Sequence, residues 1–154
     1  MSVHIIEGNL LEQKVQAIVN PWNRNFIPWW LLLPHGVSGA IRKTAGVKPF
    51  QEVSKKGLLK TGEAVWTSAG KLDFKGIIHV AGINQFWVST EKSIILSVRN
   101  ALELATEKDL QTIALPLIDS GVGGRDPQEV LTLIEDEAKQ SKFLGESIIV
   151  KYKK

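Results

Sequence analysis

Cysteine is absent from the 154-residue chain, which excludes disulfides, thiolate metal sites and cysteine nucleophiles and suits a reducing compartment. No apolar stretch is extended enough to cross a membrane either. The greasiest stretch, "IPWWLLLP" at residues 27–34, falls far short of the ~20 apolar residues that span a bilayer. The opening "MSVHIIEGNL" has neither the charged start nor the apolar stretch of a signal peptide. A cytoplasmic protein that stays off membranes is therefore expected. Neither sign of charge dominates: 19 Lys and Arg against 16 Asp and Glu give a formal net charge of +3, part of it from Lys151, Lys153 and Lys154, too little to imply nucleic-acid binding by electrostatics alone. Metal-ligand spacings of histidine and carboxylate, G-x-S-x-G and Walker patterns are all missing, so neither a metal nor a cofactor is expected.

What is present fits one domain over residues 1–154, with 44% apolar and 23% charged residues, long enough to bury about two thirds of its unfolded surface. "SVHIIEG", "QAIVN", "GEAVWTSAG", "GIIHVAG", "TIALPLI" and "ESIIVKY" read as strands, several of them β-branched runs typical of strands covered on both faces. A helix is expected from about Val37 to Ala45 with Gly46 as its stop, and a shorter one over "PFQEVSKKG". Two stronger helices follow. One starts after Ser89 and Thr90 and places Ile94, Ile95, Val98, Leu102 and Ala105 on one side. The other begins at "DPQE", with Asp126 as cap, Pro127 in the first turn and Glu129 able to close a capping box, and buries Val130, Leu133, Ile134 and Ala138. This alternation predicts an α/β fold of three layers, α/β/α, around a largely parallel sheet. In such sheets ligands bind in the crevice outside the carboxyl ends of the strands.

The loops at those ends carry the chemistry. "DSGVGGRD", from Asp119 to Asp126, has three glycines in four positions before a helix start. Unobstructed peptide N–H groups there could surround phosphate oxygens, and a tight glycine turn is the plainer alternative. "GVSGAIRKTAG", residues 36–46, is a second glycine-flanked helix start, and small residues there also serve close packing. Asn20 and Asn23 in "NPWN" offer amides that suit a ribose hydroxyl pair or a positioned water, or ordinary turn chemistry. His79, inside an apolar strand, reads as a satisfied buried histidine. His35, beside the glycines, is freer to act, and His4 is strand-start material.

Taken in order, these segments resemble the macro domain, an α/β module that recognises ADP-ribose. "EGNLLEQKVQAIVNPWN" is similar to the family's G-D-I/L-x-x-x-x-x-D-A-I-V-N-A-A-N opening, "GVSGAIRKTAG" to its G-V-D-x-A-I-x-x-A-G helix, and "KTGEAVWTSAGKL" to its T-G-x-A/V-x-x-T segment. "GIIHVAG" is similar to its I/V-I-H-x-x-G strand and "IALPLIDSGVGG" to its A-F/L-P-x-I/L-x-S/T-G-x-x-G loop. The resemblance covers nearly the whole chain. It implies a diphosphate between Gly36, Val37 and Ser38 on one side and Asp119, Ser120, Gly121, Val122, Gly123 and Gly124 on the other. It also implies that Asn23 contacts the terminal ribose and that adenine lies near Asn9 and the end of the last strand, where Tyr152 is placed to stack; Asn20 and Leu10 are further ligand-binding candidates. The implied partner is ADP-ribose or a macromolecule carrying it, with nucleic acid involved only if it bears that group.

Three departures bear on activity. Family members that hydrolyse ADP-ribose adducts commonly have aspartate at the Ser38 position, and a serine near pH 7 is a poor general base. Asn9 stands where an aspartate usually accepts from the adenine amino group. "NFIPWWLLLPHG" replaces a glycine-rich cradle with a stiff apolar wall, from Trp29 to Leu33, beside the ribose site. Two readings stay open: a hydrolase with Asn23, His35 and Ser38 as its catalytic candidates, helped by Asp119 or a substrate-bound water, and a non-catalytic reader of ADP-ribose. A structural or nucleic-acid-binding domain that has lost the pocket is a third.

Overall fold

A computed structural model describes residues 2–24, 36–83, 90–118 and 126–152. Six strands form one sheet: β1 (Ser2–Gly8), β2 (Ala17–Asn23), β3 (Ala64–Thr67), β4 (Gly76–Ile83), β5 (Thr112–Pro116) and β6 (Glu146–Tyr152). Their spatial order is β1-β6-β5-β2-β4-β3. Every neighbouring pair is parallel except β3 with β4. Among the described residues the helices are α1 (Gly36–Ala45), α2 (Lys48–Ser54), α3 (Glu91–Glu107) and α4 (Pro127–Gln140), with a 3-10 turn over Leu10–Glu12. The three-layer expectation therefore stands, and the 3-10 turn is an addition to it.

Strand residues alternate between two separate cores, as the period of 2 requires. Ala17, Val19, Ile78, Val80, Ile113 and Leu115 join Ile94, Val98, Leu102, Val130 and Ile134 on the face covered by α3 and α4. Ile18, Trp22, Ile77, Ala114 and Val150 join Ile41, Phe50 and Val53 on the face covered by α1 and α2. Burying each such aliphatic side chain contributes about 1.5–3 kcal/mol, so one-sided helices and two-sided strands explain the layering.

The helix ends show how local chemistry sets the boundaries. Thr90 Oγ1 accepts from Ser93 N–H at 3.0 Å while Ser93 Oγ accepts from Thr90 N–H at 2.9 Å, a reciprocal capping box. Along α3, Ser97 and Ala101 complete the buried stripe with Ile94, Val98, Leu102 and Ala105, whereas Ile95 is only half-buried. At α4 the expectation needs correction: Asp126 occupies the N-cap in an extended conformation, yet its side chain makes no cap hydrogen bond. Pro127, with its φ already helical and no N–H to satisfy, starts the helix there. Leu131 fills the buried face of α4 together with Val130, Ile134 and Ala138, and Leu133 lies at its margin. Gly46 ends α1 as expected, at φ +86° with its N–H donating to Arg42 O at 3.0 Å.

Candidate functional site

β2 lies between β5 and β4, but its ladder with β5 covers only Ala17 and Ile18, while its ladder with β4 continues to Pro21. The strands thus part at their carboxyl ends, where an α/β sheet opens its crevice. Pro21 has no N–H for a ladder, and its carbonyl accepts from Ser38 Oγ at 2.8 Å. Beyond Pro21 the register with β4 shifts before Asn23 pairs with Ile83. α1 begins at Gly36, and the first-turn N–H groups of a helix have no intrahelical partner and favour anions.

Ser38 ties that helix start to the sheet. Its Oγ lies 2.8 Å from Asn20 Oδ1 as well as from Pro21 O, and the residue remains partly exposed. Asn20 is fully buried, with Nδ2 at 3.0 Å from His79 Nδ1. His79 Nε2 lies 2.8 Å from Thr67 Oγ1, which also donates to Ser68 O at 3.0 Å. Trp22 and Phe50 close around the imidazole, with ring centroids at 6.3 and 6.0 Å. Burial lowers the His79 pKa from 6.5 to about 3, so the ring is neutral at any ordinary pH. A buried, satisfied His79 is what its apolar strand led one to expect. Thr67, at the other end of the same chain of hydrogen bonds, was not legible as a participant; the sequence marks it only as the last position of the T-G-x-A/V-x-x-T segment, after the alternating "AVW".

At the sheet's other edge, Gly8 of β1 pairs with Tyr152 of β6, so Asn9 and Tyr152 share one end of the crevice. Tyr152 is 74% exposed, free to present its ring. Asn9 Oδ1 accepts from Leu11 N–H at 2.9 Å and caps the 3-10 turn. Leu10 points into the α1–α2 core, which leaves only its backbone for a ligand, and Val37 packs on that core's margin. The structure thus brings together Asn20, Ser38 and the start of α1 in one place, and Asn9 with Tyr152 in another. The backbone of Asn23 ends β2. His35, the loop Asp119 to Gly124 and the run Trp29 to Leu33 lie outside the described residues. Among the described residues no cluster of histidine and carboxylate groups is placed to hold a metal, and no helix is long and apolar enough to cross a membrane.

The family model of the macro domain matches residues 19–134, which run from within β2 through α1, α2, β3, β4, α3 and β5 into α4. The chain belongs to the macro domain family. This macro domain is 33% identical over 154 residues to an uncharacterised protein of Aquifex aeolicus, covering 97% of this chain and 90% of that one. It is 40% identical over 132 residues to a macro domain-containing protein of Listeria monocytogenes, covering 80% of this chain and 71% of the relative. Among solved structures it is similar to the Oceanobacillus iheyensis macrodomain. A mutant of that protein with ADPR matches at a TM-score of 0.82 and 30% identity over 96% of this chain and 83% of the other. The same macrodomain with ADP matches at a TM-score of 0.82 and 30% identity over 97% and 83%.

Proposed function

We propose that residues 1–154 act as one macro domain that binds ADP-ribose, free or attached to a macromolecule, in the crevice at the carboxyl ends of β1, β2, β4, β5 and β6. The observation that carries this reading is the match, over 96% of the chain, to a macrodomain crystallised with ADPR. Local geometry supports it: the start of α1 is pinned by Ser38 beside the opened end of β2, where its N–H groups suit one phosphate of a diphosphate. The glycine loop 119–124 would receive the other. Asn9 and Tyr152 stand at the far edge, where a base would lie, and Asn23 leads toward the terminal ribose. The apolar run Trp29 to Leu33 bounds that ribose and shapes what is attached to it. A cytoplasmic location suits such a ligand.

Between turnover and reading, the Ser38 geometry favours reading. Its hydroxyl proton goes to Asn20 Oδ1 or Pro21 O, both acceptors, and an alcohol at neutral pH does not take a proton from water. Hydrolysis would have to draw on His35, Asp119 or the ligand itself. Calorimetry with ADP-ribose tests binding, with Asn23→Ala and Gly121→Glu as variants expected to weaken or abolish it. The absence of both heat and a thermal shift at millimolar ligand would sink the proposal. Release of ADP-ribose from modified carboxylate side chains and from modified bases, assayed side by side, tests turnover; release from either would displace the reader.

A further inference from the structure

The hydrogen-bond chain behind Ser38 has a direction. With Asn20 Oδ1 turned to Ser38, its Nδ2 faces His79 Nδ1 at 3.0 Å and donates, an orientation that assigns the lone pair to Nδ1. The ring proton of neutral His79 is then on Nε2 and donates to Thr67 Oγ1 at 2.8 Å. Thr67 sends its own proton to Ser68 O, an acceptor that fixes the end of the chain. At the other end Asn20 is left with Oδ1 turned to Ser38 at 2.8 Å, beside Pro21 O at 2.8 Å. Neither atom can donate, so the single hydroxyl proton of Ser38 points inward, to one of these acceptors or shared between them.

We propose that Thr67, His79 and Asn20 are positioning residues that keep the Ser38 proton inward, so that Ser38 turns a lone pair to the crevice and accepts from a ribose hydroxyl of the ligand. The inference rests on the ADP-ribose reading above. A serine at a helix start ordinarily adapts, donating to an anionic oxygen or accepting from a hydroxyl as the ligand requires. Here the rotor is committed. The backbone N–H groups at the start of α1 supply donors for phosphate, and the side chain of Ser38, in the same first turn, supplies the opposite polarity for the sugar beside it. A misplaced phosphate oxygen would meet a lone pair, so the arrangement fixes the register of the ligand as well as holding it. Burial keeps His79 neutral, so the chain cannot be reversed by adding a second ring proton near neutrality.

Two measurements test this. Long-range proton–nitrogen spectra of the free protein, with His79→Gln for assignment, should show His79 protonated on Nε2 and bare on Nδ1. A proton on Nδ1 would overturn the inference whatever the protein binds. Calorimetry with ADP-ribose and with ADP, which lacks the second ribose, should then show that Ser38→Ala narrows the preference for ADP-ribose about fivefold, the value of one neutral hydrogen bond. Thr67→Val should narrow it in the same direction, and Thr67→Ser should restore it. Equal weakening of both ligands by Ser38→Ala would refute the ribose contact. If neither ligand binds the wild type, the proposed function falls and the ligand-selecting role of Ser38 falls with it, while the histidine spectrum still decides the hydrogen-bond chain. Should Thr67→Val fail to fold, the partly exposed Ser38→Ala carries the test.

Discussion

Acid should destabilise this protein through His79. In the unfolded chain the imidazole has its ordinary pKa of 6.5, and in the fold burial lowers it to about 3, with no charged neighbour contributing to the shift. The groups against the ring are Asn20, Thr67, Trp22 and Phe50, all uncharged. The folded state therefore prefers the neutral ring. Its contribution to stability is complete above pH 6.5 and is lost progressively as pH falls from there toward 3. At about pH 5 the gap of roughly 1.5 pH units, at 1.36 kcal/mol per unit, gives a loss of about 2 kcal/mol, a sizeable share of a typical 5–15 kcal/mol. Urea unfolding of wild type and His79→Gln at about pH 7.5 and about pH 5 isolates that share, because carboxylate titrations common to both proteins cancel. The variant starts less stable, since Asn20 and Thr67 lose a matched partner, but that cost is present at both pH values. Wild type should lose about 2 kcal/mol more than the variant on acidification. Losses equal within about 0.5 kcal/mol would refute the reasoning.

Three further outcomes follow from local geometry. Asn9→Asp should tighten ADP-ribose binding about tenfold by calorimetry. One carboxylate oxygen keeps the cap on Leu11 N–H, and the other replaces a donating amide with an acceptor for the adenine amino group. Unchanged affinity would remove adenine from that edge of the crevice. Thr90→Ala, which deletes the cap of α3, should cost about 1 kcal/mol in urea unfolding. Gly70→Ala should lower stability by about 1–3 kcal/mol. Its backbone sits at φ +59° and the added Cβ would run into Ala45 O, so a neutral result would contradict the turn geometry.

The layer order was legible because each strand and helix announces itself by its own period: β-branched runs in "GIIHVAG" and "TIALPLI", helical spacing from Ile94 to Ala105. The antiparallel placement of β3 was not, because pairing direction depends on which neighbour a short strand meets, and "AVWT" is the same alternation either way. Capping was half legible. Threonine at 90 caps as its chemistry suggests, whereas Asp126 stands at the right position without making the bond, since Pro127 already meets the helix's needs there. In the site, Asn20 and Ser38 stood out as polar residues in a glycine- and proline-marked segment. That they touch, and that His79 and Thr67 stand behind them, depends on β4 lying between β2 and β3, a relation between segments tens of residues apart that no local pattern encodes.

Among the described residues β1 reaches the sheet's backbone ladder only through β6, since β1 pairs with β6 and β6 with β5. During synthesis β1 emerges well before β6, yet it must wait until residues 146–152 have left the ribosome before it can join the sheet. The Asn9 turn, suspended from the end of β1, waits with it. One edge of the crevice is therefore completed only when translation of β6 is over, and a chain that stops before Glu146 forfeits two strands at once, leaving β5 as a raw edge. Any partially made or proteolytically trimmed copy lacking that strand thus has no anchored Asn9 edge even while β2, α1 and the buried histidine are already in place.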